Sequence, residues 1–166
     1  MPVQKKQLIP DIFYGVPGPC HTIAISKILV EQCGPFDITL KSLEDWDFWI
    51  RAVKCGAKIQ TIQQSLVYYR YVKNSMSRNA FVMYESFKKV ANRAPHKDDR
   101  LSLTAPGNKA YNVHVQQSFN GALIRMLGVS IMQGKIEESV AFFKQESSQP
   151  IYAYKPIQFE EMCSYL

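Results

Sequence analysis

The sequence predicts an α/β domain followed by a helical hairpin, and three observations lead there. Residues 44–54 repeat their apolar side chains at helical spacing, short runs rich in β-branched and aromatic residues lie on either side, and two further helical patterns follow beyond residue 107. A chain of 166 residues with 46% hydrophobic content can bury a real core. No apolar run approaches the roughly 20 residues of a membrane span, and the start Met1-Pro2-Val3-Gln4-Lys5-Lys6 lacks the apolar centre of a signal peptide. The expected location is the cytoplasm, with the inner face of the membrane as a peripheral alternative. Cys20, Cys33, Cys55 and Cys163 show no Cys-x-x-Cys pairing and no zinc-like spacing to histidine, so they are expected as reduced thiols.

Taken in order, residues 1–19 carry Pro10, Gly15, Pro17, Gly18 and Pro19, which is loop chemistry. Thr22–Ile25 reads as a short buried strand, and Ser26 as the cap of a short helix through Cys33 that Gly34 ends. Phe36 is expected in the core, and Asp37 as a turn former. Trp46, Trp49, Ile50 and Val53 mark one face of a helix that Gly56 closes, with Lys54 in its last turn. Glu44 and Asp45 stand in its first turn, where the partial positive charge of a helix start favours anions. Ser42-x-x-Asp45 can also be read as a capping box. Residues 57–62 and 66–72 predict two short strands, and Asn79–Arg93 a helix that Ala94-Pro95 stops. Asn108–Gln133 and Ile136–Gln145 predict the hairpin, turning at Gly134-Lys135. The tail from Gln149 is apolar enough to be expected against a surface. Three units follow: 1–95, the hairpin 107–148, and the tail 149–166.

An ordered set of motifs then narrows the reading. Gly-x-Phe-Asp at 34–37, Glu-Asp-Trp-Asp-x-Trp-x-Arg at 44–51, Gly56, Tyr69-Arg70 and Ser75-x-Ser77 together resemble the acceptor-side half of family-2 glycosyltransferases, inverting enzymes of the GT-A fold. The resemblance covers about residues 17 to 80. It implies a partial GT-A-like, Rossmann-like sheet with flanking helices for residues 1–95. It also implies that Asp45 is the general base, that Glu44 positions the site, and that Trp46, Tyr69, Arg70, Ser75 and Ser77 line the acceptor pocket. Where many relatives place a histidine two residues after the arginine, this chain has Val72. The resemblance further implies a nucleotide-sugar donor and a divalent metal, Mg or Mn, both held by a donor-binding half for which residues 1–166 show no motif. Asp45-Trp46-Asp47 spells the Asp-x-Asp of such metal sites, yet residues two apart on a helix point about 200° away from each other. Asp47 is therefore expected at the solvated side or in a structural hydrogen bond, and no metal ligand is expected in this chain. Arg51 is expected to pair at the surface, and Trp49 to pack in the core.

The charge of +6 suits anionic partners as well as an ordinary basic surface. The cluster Lys88, Lys89, Arg93, His96, Lys97 and Arg100 lacks interleaved aromatics, which disfavours nucleic acid. The expected function is acceptor-side sugar transfer, with a sugar acceptor as partner, inactive without the donor-binding half. The alternative is a non-catalytic module whose hairpin binds a partner protein or a second copy, and a third reading is a peripheral membrane binder acting through the basic cluster.

Overall fold

The computed structural model describes residue 9, residues 11–70, residue 72 and residues 75–147. Five helices carry the architecture: α1 (Lys27–Cys33), α2 (Glu44–Lys54), α3 (Ala80–Arg93), α4 (Gln116–Met132) and α5 (Ile136–Glu146). Single tight turns at Asp11–Phe13, Cys20–Thr22 and Met76–Arg78 punctuate the loops.

The expected α/β sheet is not there: among the described residues there is no β-strand. Cys20–Thr22 forms a tight turn instead of opening a strand, and residues 57–70, apart from a bend at Gln64, take no regular secondary structure, exposed from Lys58 onward. Residues 58–70 make no backbone hydrogen bond among the described residues. Period-two alternation encodes an extended backbone, whereas a strand also needs a neighbour whose carbonyls and amides complete the ladder.

The helices fall close to their expected bounds for local reasons. Ser26 Oγ accepts the Leu29 amide and caps α1. The Asn79 side chain accepts the Val82 amide and caps α3. Gly56, at φ 89°, takes the left-handed conformation just past α2. Only α4 departs clearly: it starts at Gln116, because residues 108–115 are used to bind the rest of the molecule. There the Asn108 side chain bonds the backbone of Asp98 in both directions, and the Tyr111 amide donates to Pro95 at 2.7 Å.

One core runs from Ile12 and Phe13 through α2 and α3 to Phe119, Leu123 and Leu127 of α4. The Trp46 ring is stacked on Phe87 at 5.0 Å, and Phe87 meets Phe119 edge-on. Trp49 is buried as expected, whereas Phe36 lies half exposed, with its ring against Phe48 at 4.8 Å. The hairpin closes onto α3, where Phe142 meets Phe81 and Tyr84. No helix among the described residues is long and apolar enough to cross a membrane. The tail 149–166, with Cys163, lies outside the described residues.

Candidate functional site at the start of helix α2

Helix α2 carries three acids in its first turn, and the fold treats them in two ways. Asp47 is almost fully buried, at 2% exposure. Its Oδ2 accepts Arg51 Nε at 3.2 Å and Arg100 Nη1 at 3.0 Å, and its Oδ1 accepts Arg100 Nη2 at 2.9 Å with Arg93 Nη2 3.0 Å away. Three arginines therefore consume both oxygens. The same arginines reach two further acids: Arg93 Nη1 donates to Asp37 at 2.7 Å, and Arg100 to Asp98 at 2.6 Å. Three carboxylates thus face three guanidiniums, with the buried Lys54 ammonium close enough to feel Asp98 and Asp47 as well.

Arg51 departs most from its expected place. It is 1% exposed instead of paired at the surface. Its guanidinium donates to the carbonyls of Cys33, Gly34 and Pro35, so a side chain of α2 caps the end of α1. A helix end leaves carbonyls without intrahelical partners, and the planar five-donor fork can serve several of them at once. Asp37 is the turn former expected, its Oδ1 accepting both the amide and the hydroxyl of Thr39. Those Thr39 hydrogen bonds, with Arg93, hold its carboxyl well below the usual range.

Glu44 and Asp45 differ from this cluster, since among the described residues neither makes an ion pair. Asp45 is half-buried and its Oδ1 accepts the amide of Trp46 at 2.7 Å. Burial pushes its carboxyl up; the Trp46 amide pulls the other way, and the adjacent Glu44 charge pushes it up further. The capping box does not form, because Ser42 is buried and donates to the Val82 carbonyl at 3.3 Å. Leu43 stands at the cap position with φ 60°, the one left-handed non-glycine among the described residues.

Ser42 also orients the site. Its bond to Val82 ties the start of α2 to the first turn of α3, immediately after the turn Met76–Arg78. On the approach to α3, Ser75 Oγ lies 3.1 Å from Ser77 Oγ, which lies 3.5 Å from the Tyr69 hydroxyl. His21 adds its ring 5.2 Å from that of Tyr69, a neighbour that sequence spacing gave no reason to expect. Arg70 is exposed and, among the described residues, unpaired. Trp46 does not join them: its ring is fully buried and its Nε1 donates to the Ile12 carbonyl at 2.7 Å, which leaves no face for a sugar.

Asp45 and Asp47 do not suit a metal, since Asp47 is saturated by arginine. No group of three or more His, Cys, Asp or Glu able to hold a metal forms among the described residues. A cavity of about 290 Å³ opens between the end of α1 and α2, lined by Gly34, Phe36, Asp37, Arg51 and Arg100 among others, and neither Glu44 nor Asp45 borders it. Lys88 of the basic cluster pairs with Glu85 and Glu146, so with Arg93 and Arg100 half of that cluster is neutralised. No protein-family model, curated protein or solved structure matches the chain.

Proposed function

We propose that the chain is the acceptor-side portion of an inverting glycosyltransferase, with Asp45 as general base. The observation that carries this reading is the contrast within α2: Asp47 is locked by arginines, whereas Asp45 has no cation among the described residues and burial raises its proton affinity. A carboxylate of raised pKa is a better proton acceptor for a hydroxyl than an ordinary aspartate. The left-handed Leu43 directly before the acid pair adds support, because backbone strain of this kind gathers at functional sites.

In the step so assigned, an acceptor hydroxyl gives its proton to Asp45 while its oxygen bonds the anomeric carbon. The bond from that carbon to the nucleoside diphosphate breaks on the opposite face, and the diphosphate departs with the electron pair. Glu44 keeps a second negative charge beside Asp45 and so raises its basicity. Tyr69, Ser75 and Ser77 offer hydroxyls that exchange hydrogen bonds with an acceptor, and Arg70 offers an exposed guanidinium. Donor binding is assigned to a separate donor-binding unit, and no step here is routed through a metal.

The test compares wild-type and Asp45→Asn protein in the cell that makes it, following labelled sugar from a panel of nucleotide sugars into endogenous acceptors. Transfer is expected with wild type and lost with Asp45→Asn at unchanged protein level. Equal incorporation with both would overturn the proposal and leave a protein-interaction module.

A further inference from the structure

Two cysteines that the proposed reaction does not use meet where α1 and α2 end. Cys33 is the last residue of α1 and is fully buried, whereas Cys55 stands just past α2 and is partly exposed. The Cys55 amide donates to the Arg51 carbonyl at 2.9 Å, which carries the helical spacing on by one residue and sets Cys55 on the Arg51 side of α2. Arg51 donates to the carbonyls of Cys33, Gly34 and Pro35, and Cys55 Sγ adds a weak donor 3.8 Å from the Gln32 carbonyl. Both side chains therefore reach the end of α1, and the Cys55 sulfur sits against the residue next to Cys33.

The two thiols also act on one another, and their surroundings give them different parts. Burial, and after it the neighbouring Cys55 thiol, push the Cys33 thiol up to about 12, against a pull from Arg51. A buried thiol that keeps its proton is a poor first target for an oxidant, whereas its partly exposed neighbour is reached from solvent. Cys20, exposed in the turn Cys20–Thr22, provides an internal comparison.

We infer that Cys33 and Cys55 form an oxidisable thiol pair, a modification site at which hydrogen peroxide turns two thiols into a disulfide that staples the end of α1 to the end of α2. The Cys55 sulfur attacks the peroxide and the O–O bond breaks; one oxygen leaves as water and the other stays on sulfur as a sulfenic acid. The Cys33 sulfur then attacks the Cys55 sulfur, the S–O bond breaks, and the oxygen departs as water with the Cys33 proton. The thiol pair loses two electrons and the peroxide gains them. The new bond closes the chain around α2 and its acid pair, which restricts the unfolded state and makes the oxidised chain harder to unfold. This goes beyond sugar transfer and does not depend on it.

The test treats the full chain with hydrogen peroxide, blocks the remaining thiols by alkylation and maps the peptides by mass spectrometry without reduction. The expected product is a peptide joining Cys33 to Cys55, lighter by the pair of hydrogens lost and absent after dithiothreitol. The urea midpoint is expected to move upward on oxidation and to return on reduction. Cys55→Ser, at a partly exposed position, is expected to fold, to form no link to Cys33 and to lose that shift. Cys33→Ala is expected to leave Cys55 as a sulfenic acid that dimedone traps, a species the wild type consumes. Equal dimedone labelling of Cys55 in wild type and Cys33→Ala would overturn the inference. So would a link from Cys55 to Cys20 or Cys163 in preference to Cys33, or an unchanged urea midpoint in the linked protein.

Discussion

Asp45 is a residue whose chemistry opposes its own stability. Burial raises its pKa, so the folded state binds a proton more tightly than the unfolded chain does. Stability from this group is complete below the ordinary value of 3.8 and is lost as pH rises through the folded value. Asp45→Asn keeps an oxygen for the Trp46 amide but carries no charge. The variant is expected to melt higher than wild type at neutral pH, and the difference should shrink as the pH is lowered toward 3.8. Thermal melts across that range check the sign. Gly107 is a residue of the opposite kind: its amide donates to the Lys54 carbonyl at 2.8 Å, and a Cβ there would sit 2.9 Å from the Lys54 backbone. Gly107→Ala is expected to cost about 1–3 kcal/mol in urea unfolding, because backbone cannot yield as a side-chain tip can.

At the scale of elements, α1 and α2 are joined by Arg51. Cutting it back to alanine empties a buried site, takes one of three arginines from Asp47 and strips the carbonyls of Cys33, Gly34 and Pro35 of their donor, so Arg51→Ala is expected to cost about 3–5 kcal/mol. Lysine should restore little, since one ammonium cannot span three carbonyls and a carboxylate. Equilibrium denaturation of the two variants separates lost charge from lost geometry. The α2 helix itself was legible in the sequence, because its apolar period, its acids and Gly56 are all local signals. Asp47 was expected at the solvated side or in a structural hydrogen bond and Arg51 at the surface, because the arginines that complete the cluster come from 46 and 53 residues away, and no period reports such a meeting. Trp46 was misread for a related reason: proximity to Asp45 in sequence says nothing about the Ile12 carbonyl that holds its indole inside. The strands failed because alternation specifies a backbone shape and not the neighbour that would pair with it.

For the whole molecule, the three-acid, three-arginine cluster ties α1, α2, α3 and the loop after α3 into one body. Asp37 and Asp98 both titrate below the ordinary value. The Thr39 hydrogen bonds, with Arg93, lower Asp37; burial raises Asp98, but the hydrogen bonds to Arg100 and its charge outweigh it. Their stabilisation is present above the unfolded value of 3.8 and is lost as pH falls through the folded values. Acid unfolding should therefore begin below pH 3.8, and Arg100→Gln should move it upward, as circular dichroism against pH would show.

Beside this body the acid pair at the start of α2 stands half-buried and, among the described residues, without an ion pair. Carbon-detected NMR titration of the Asp45 carboxyl is the most direct measurement of the central claim. A midpoint above 3.8 is the result the account requires. A midpoint at or below that value would mean the carboxylate is held as a cap, and Asp45 could not serve as the base.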